Sequence, residues 1–88
     1  MKPRRVAVTG IGVISSIGAG IEDYWRALVA GTSGVATITH FDTTDYRVHI
    51  AAEVKDFDPT VYTDKKSARR MDRFAQFSVA AAKLAVED

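Results

Sequence analysis

The segment from Asp72 to Glu87 is the part of this sequence that most constrains the fold. It contains no Gly or Pro and is rich in Ala and unbranched residues, which predicts a helix about 24 Å long. Its apolar residues form two stripes on that helix: Phe74, Phe77, Ala81, Leu84 and Ala85 on one, and Ala75, Val79, Ala82 and Val86 on the other. A helix that is apolar nearly all round is expected to be buried nearly all round.

A chain of 88 residues has little material with which to bury such a helix. Chains of this size bury only about 60 to 65% of the surface that the unfolded chain exposes, so the core must be thin. No Gly or Asn follows Glu87 to end the helix. We therefore expect residues 1–88 to be the amino-terminal piece of a larger protein, or a chain that must associate, with no complete second domain.

The run from Arg5 to Ile14 is almost continuously apolar, which predicts a strand covered on both faces in a parallel or mixed sheet. Gly10 and Gly12 interrupt this run. A dinucleotide-binding turn would need Gly or Ala where Ser15 stands, an immediate helix, and an acidic residue about 20 residues later, and the sequence has none of these. The glycines instead favour a bend in a buried strand or the close approach of another backbone.

The middle of the chain carries weaker signals. Apolar residues spaced from Ile21 to Val29, with Glu22 and Asp23 in the first turn, predict an amphipathic helix that ends at Gly31. Turn-forming residues between positions 32 and 58 predict loops and one or two short strands, such as Ile50 to Val54. Asp58 followed by Pro59 predicts a short helical turn.

The composition excludes several classes of site. The chain has no Cys, so disulfides, thiolate metal sites and thiol nucleophiles are absent from it. His40 and His49 stand alone, without the spacing of metal ligands, and we assign neither a catalytic nor a ligand role. The formal charge of +1 is too small to indicate nucleic acid, and no apolar stretch is long enough to span a membrane. We therefore expect a cytoplasmic protein with neither partner.

Five basic residues cluster within nine positions: Lys65, Lys66, Arg69, Arg70 and Arg73. The only acidic residues beside or among them are Asp64 and Asp72. In one continuous helix, Lys65, Arg69 and Arg73 would form a row, with Lys66 and Arg70 beside it. This basic ridge, as we call the five residues, is either a solvated helix face or a landing surface for an acidic partner. Exposed ion pairs contribute roughly 0 to 1 kcal/mol each, which is enough to steer a partner but not to hold it tightly.

Four blocks of the sequence together resemble the β-ketoacyl-acyl-carrier-protein synthases, and most closely the type II elongating enzymes of bacterial fatty acid synthesis. The blocks are KPRRVAVTGIGVIS, YWRALVAGTSG, HFDTT and RRMDRFAQF. The resemblance covers the whole chain but only about the amino-terminal fifth of a family member. It implies an α/β, thiolase-like layered fold, here a fragment with a buried first strand, an amphipathic helix, short strands and a buried helix. It also implies a homodimer.

The resemblance further implies a reaction. An acyl chain passes from acyl carrier protein to a cysteine, malonyl carrier protein loses CO₂, and the resulting carbanion attacks the thioester with the help of two histidines. In the family these three residues lie beyond the position of Asp88, so we expect no catalytic residue in this chain. No cofactor is implied, since the phosphopantetheine arm of the carrier protein holds the substrates.

The resemblance also implies a partner-binding surface. The family docks acyl carrier protein on a basic patch, and Lys66, Arg69 and Arg70 occupy the matching positions, with weaker support from Lys65 and Arg73. Two alternatives to an enzyme stay open. In the first, the chain is a short non-catalytic binding or scaffold module. In the second, it is part of a ketosynthase-like partner that sets chain length.

Overall fold

The computed structural model describes residues 3–88; Met1 and Lys2, the start of the predicted 1–88 unit, lie outside the described residues. The described part contains three helices: α1 (Ile21–Val29), α2 (Lys65–Arg69) and α3 (Arg73–Glu87). Two antiparallel strand pairs accompany them. Strand β1 (Ile14–Ser15) pairs with β2 (Gly18–Ala19), and β3 (Val35–Thr37) pairs with β4 (Ile50–Ala52). A 3₁₀ turn spans Pro59–Val61.

Helix α1 confirms the amphipathic helix predicted from Ile21 onward. Gly31, in the left-handed region at φ 73°, ends it, and the backbone N–H of Gly31 donates to the carbonyl of Leu28. Ile21 and Tyr24 on its apolar face are half-buried, whereas Trp25 on the same face is 61% exposed. The described residues therefore cover only part of the face that the sequence marks as apolar.

The predicted strand from Arg5 to Ile14 is the main difference from expectation. Residues 3–13 have no strand assignment, and only Ile14 joins a strand, the two-residue β1. Val6 and Val8, expected to be covered on both faces, are 90% and 80% exposed. A strand of a buried sheet needs neighbours that accept its hydrogen bonds and layers that cover its faces. Residues 3–88 place no strand beside this segment, so the prediction of a buried strand is wrong for the described part of the chain.

The sequence left open whether Gly10 and Gly12 allow a bend in a strand or the close approach of another backbone, and the structure confirms the close approach. A Cβ at Gly10 would overlap the carbonyl oxygen of Ala85, and one at Gly12 would overlap the carbonyl oxygen of Ala81. The backbone N–H of Ile11 between them donates to Asp88 Oδ2 at 3.0 Å. The extended amino-terminal segment thus lies against the carboxyl-terminal half of α3.

Helix α3 begins and ends where the sequence predicts, but it is not buried all round. Ala80 is its one fully buried residue in the described structure, and Phe74 and Val86 are 72% and 86% exposed. The radius of gyration is 16.4 Å, against roughly 12 Å expected for a closed domain of this length. The elements are therefore spread out, and residues 3–88 do not close a layer over the outer side of α3.

The predicted short strand at Ile50 to Val54 is confirmed in a shorter form, β4, and the hairpin is tied by a side chain. Glu53 accepts hydrogen bonds from the backbone N–H groups of Thr39 and His40 and from the Thr39 hydroxyl. The predicted turn at Asp58 is also confirmed, since the Asp58 carboxylate accepts from the backbone N–H of Thr60 at the start of the 3₁₀ turn. No helix in residues 3–88 combines the length and the apolar character of a membrane span.

Candidate functional site

Helix α2 is a single turn of five residues that carries the first three residues of the basic ridge, Lys65, Lys66 and Arg69, and the fourth, Arg70, is its C-cap. Asp64 precedes it in an extended conformation and caps it: Oδ1 accepts from the backbone N–H of Ser67 at 2.6 Å, and Oδ2 accepts from the Ser67 hydroxyl at 3.1 Å. These bonds favour the ionised carboxylate, and they lower the pKa of Asp64 below its ordinary value of 3.8. The cap therefore fixes where α2 begins.

The ridge is not one continuous helix face, so the condition under which Lys65, Arg69 and Arg73 would form one row is not met. Helix α2 ends at Arg69, and Arg70 forms its C-cap. A break in the helical conformation then separates α2 from α3, which begins at Arg73. Asp72 stands before α3 as its N-cap residue in an extended conformation. The pairs Lys65 with Arg69 and Lys66 with Arg70 keep their one-turn spacing, but Arg73 does not extend either row.

The three cations of α2 and its C-cap residue Arg70 are exposed and have no acidic partner among residues 3–88. The ion pairs within residues 3–88 join Arg26 to Asp23 and His40 to Glu53, so no carboxylate neutralises the four side chains: Lys65, Lys66, Arg69 and Arg70. Asp64, the acid directly before Lys65 in the sequence, already accepts two hydrogen bonds from Ser67. The turn thus presents a compact positive charge to solvent, the arrangement that attracts an acidic surface.

Arg73 faces a different environment. Its Nη2 donates to the carbonyl oxygen of Val54 at 2.8 Å. Its guanidinium carbon lies 5.0 Å from the ring centroid of Phe77 and 5.9 Å from that of Phe57, within the range of cation–π attraction. The rings of Phe57 and Phe77 meet edge to face at 4.9 Å, and Phe57 also stacks on Tyr62. Arg73 therefore joins α3 to the loop that follows β4.

The C-terminal end of α2 is attached to α3 by Gln76, a residue that was not predicted from the sequence. Gln76 Nε2 donates to the carbonyl oxygen of Ala68 at 3.0 Å, and Ala68 is only 5% exposed. Gln76 is a lone amide in an otherwise largely apolar helix, which is a sequence signal of a specific contact. Its partner lies across the break between the helices, so periodicity alone gives no means of finding it.

The two histidines lie in structural contacts. His49 Nδ1 is 3.0 Å from the Thr43 hydroxyl, and His40 Nε2 is 3.4 Å from Glu53 Oε2. In the part of the chain that the structure describes, no three His, Asp or Glu side chains come together as a metal site would require. Since the described residues bring no metal site together around either histidine, we take the basic turn α2 as the candidate functional site.

Comparisons with known proteins agree on one family. Residues 3–88 match the family model described as beta-ketoacyl synthase, N-terminal domain. The chain is 50% identical over 88 residues to the 3-oxoacyl-[acyl-carrier-protein] synthase 2 of Coxiella burnetii, and 46% identical over 88 residues to that of Synechocystis sp.. In both comparisons the alignment covers 100% of this chain and 21% of the relative, so the chain spans about a fifth of the length of these proteins.

A solved structure gives the same result for the fold. The structure described as the ishigamide ketosynthase/chain length factor superposes with a TM-score of 0.83 at 46% sequence identity. The match covers 91% of this chain and 20% of that one. This similarity confirms the predicted fold class: the chain has the α/β, thiolase-like fold, as an amino-terminal fragment.

Proposed function

This chain belongs to the beta-ketoacyl synthase family as a match to its N-terminal domain, and from that premise we propose that it forms part of a 3-oxoacyl-acyl-carrier-protein synthase of fatty acid elongation. The complete enzyme condenses an enzyme-bound acyl chain with malonyl carrier protein, with loss of CO₂. In this proposal residues 1–88 are the amino-terminal part of the ketosynthase domain. They provide core structure and part of the surface that docks acyl carrier protein, and the catalytic cysteine and two histidines lie elsewhere.

The docking role rests on one observation, the exposed and unneutralised charge of α2. Lys66, Arg69 and Arg70 lie on a single turn that is capped at its start and attached to α3 at its end. A carrier protein must bind, deliver its phosphopantetheine arm and leave. Exposed charge pairs of roughly 0 to 1 kcal/mol each suit such transient binding. Lys65 on the same turn adds to the field, and Arg73 supports the surface from α3.

Charge reversal in the complete protein tests this proposal. We expect Lys66→Glu, Arg69→Glu and Arg70→Glu together to weaken binding of acyl carrier protein by roughly 10- to 100-fold at low salt, since three attractions become repulsions. The effect should shrink as salt is added and exposed charges are screened. The matched control reverses three exposed cations away from α2, Arg4, Arg47 and Lys83, and so changes the net charge equally. Unchanged binding by the α2 variant at low salt would exclude the docking role.

The remaining parts of the proposal follow from family resemblance. The complete protein acts as a homodimer in the cytoplasm, binds neither nucleic acid nor membrane, and has no resident cofactor because substrates arrive on the phosphopantetheine arm. Light scattering coupled to gel filtration of the complete protein tests the dimer. A mass equal to one subunit at micromolar concentration would contradict it.

A second candidate is a non-catalytic partner that sets chain length. The similarity to a solved ketosynthase/chain length factor favours considering it. The polypeptide encoded after Asp88 discriminates between the candidates. A continuation with a nucleophilic cysteine and two later histidines supports the synthase, whereas a continuation without the cysteine supports the chain-length partner. A stop codon directly after Asp88 supports a short binding module.

A further inference from the structure

Helix α2 cannot maintain its own shape. It has only five residues, and isolated helices shorter than roughly 12 residues are marginal in water because the first turn is unfavourable to form. Its charges make this worse, since Lys65 and Arg69, and likewise Lys66 and Arg70, are like charges one turn apart. Contacts from outside the helix must therefore hold the basic turn in place.

The contact at the end of α2 comes from α3. Gln76 Nε2 donates to the carbonyl oxygen of Ala68 at 3.0 Å, and the same oxygen accepts from the backbone N–H of Met71 at 3.2 Å as the chain leaves the helix. Gln76 is itself half-buried in the regular part of α3, where its backbone N–H donates to Asp72. Between α2 and α3 of the described chain, this is the one hydrogen bond made by a side chain.

The position of Gln76 gives this bond its effect. Ala68 stands between Lys66 and the two arginines, Arg69 and Arg70, and it is the buried residue of α2. Fixing the Ala68 carbonyl fixes how far the turn rotates about the break at Arg70 to Asp72, and so the direction in which the cations point. Without this bond, α2 would remain joined to α3 through the backbone of the break and would keep its contacts with the 3₁₀ turn at Pro59–Val61.

We propose that Gln76 is a positioning residue of the carrier-docking surface: its amide holds α2 against α3 so that Lys66, Arg69 and Arg70 face the partner together. This inference rests on the docking function proposed above and adds a residue that makes no contact with the partner. Gln76 contributes no charge, so its effect on binding comes through order in α2. Pre-organised groups bind more tightly because less conformational freedom is lost on binding.

The experiment uses Gln76→Met in the complete protein, which keeps the length of the side chain and removes the donor. Ser78→Met is the matched control, since Ser78 is exposed on the same helix two residues away, and the one side-chain hydrogen bond from the described part of α3 to α2 is that of Gln76. We expect Gln76→Met to weaken binding of acyl carrier protein roughly three- to tenfold, the effect of losing about one hydrogen bond. Amide exchange in residues 67–71 should accelerate by a similar factor. Turnover of acyl and malonyl thioesters of pantetheine, which need no carrier docking, should not change.

Two further variants keep the test decisive. Gln76→Lys retains a donor of similar reach, so we expect amide exchange in residues 67–71 to stay at the wild-type rate. This variant still tests the hydrogen bond if Gln76→Met does not fold. The triple reversal of Lys66, Arg69 and Arg70 reports on docking itself. Normal carrier binding by that triple variant would remove the docking function, while the exchange measurement would still show whether Gln76 holds α2.

Several results would overturn the inference. Carrier binding by Gln76→Met equal to that of Ser78→Met would show that the amide does not position the surface. An equal loss of turnover with pantetheine thioesters would show general damage to the enzyme instead. Exchange in Gln76→Lys as fast as in Gln76→Met would show that the hydrogen bond to Ala68 is not what orders α2.

Discussion

The backbone of Gly12 lies so close to that of Ala81 in α3 that no side chain fits between them. A Cβ at Gly12 would overlap the Ala81 carbonyl oxygen, and the same holds for Gly10 and Ala85 one turn later on the helix. Gly10 and Gly12, which are separated by one residue, thus contact two carbonyl groups that lie one helical turn apart on α3. This pairing joins the first segment of the chain to its last helix.

Substituting Gly12 should therefore weaken the packing of the first segment on α3. We expect Gly12→Ala to lower the free energy of unfolding of the complete protein by about 1–3 kcal/mol, the usual effect of overpacking, as measured by urea denaturation. Gly31→Asn is the control, because Gly31 has open space around it and Asn tolerates its positive φ. Equal stability of Gly12→Ala and wild type would show that the two backbones separate easily.

The cap of α2 should make stability depend on acid pH. The hydrogen bonds from Ser67 lower the pKa of Asp64 below 3.8, its ordinary value and that of the unfolded chain. A lowered pKa in the folded state gives stability that is fully present above the unfolded value and is lost as the pH falls through the folded value. The difference in Tm between the wild type and Asp64→Asn should thus be constant above about pH 4 to 5 and decrease toward more acid pH. A difference that grows toward acid pH would contradict the assignment.

The Glu53 carboxylate should order the loop that follows β3. Burial of this side chain acts to raise its pKa, but the hydrogen bonds from Thr39 and His40, together with the His40 charge, outweigh burial and lower the pKa. We expect Glu53→Leu to accelerate amide exchange at Thr39 and His40 by roughly fivefold or more, since both N–H groups donate to Glu53. Glu87→Leu, an exposed site on α3, is the control. Unchanged exchange at both amides would show that the carboxylate does not hold the loop.

The elements that were predicted correctly depend on local signals. The start of α1 and its end at Gly31 follow from apolar spacing and one glycine, and the 3₁₀ turn follows from Asp58 and Pro59. Burial of Arg5 to Ile14 and of α3 is not seen within residues 3–88, which agrees with the expectation that 88 residues cannot cover both, because burial depends on what covers an element. An apolar composition shows that burial would stabilise a surface, but it does not show which other element packs against that surface.

The candidate site divides in the same way. The charge of α2 is visible in the sequence, and the predicted start of the last helix at Asp72 agrees within one residue with the observed start at Arg73, but residue types did not show that the ridge is divided between two helices. The contact from Gln76 to Ala68 joins side chain to backbone across the break between these helices, and it depends on the angle between them. Residue types therefore identified the charge, and only the structure shows what holds it in place.

Arg73 gives the final test, because its charge and its contacts assign it different roles. If its hydrogen bond to Val54 and its position over the rings of Phe57 and Phe77 are its main interactions, Arg73→Gln should lower the free energy of unfolding by about 1–2 kcal/mol in urea denaturation. Arg73→Lys should restore part of this loss, since an ammonium keeps the attraction to the rings but lacks the planar fork of guanidinium.

The matched comparison is Arg69→Gln, which removes the same charge from α2, where the side chain is exposed. We expect Arg69→Gln to weaken carrier binding most at low salt and to change stability little, because an exposed surface charge contributes little to folding. Arg73→Gln should show the opposite pattern, a loss of stability with a smaller and less salt-dependent loss of binding. If Arg73→Gln instead leaves stability unchanged and weakens binding as Arg69→Gln does, Arg73 contacts the partner directly and the docking surface extends across the break into α3.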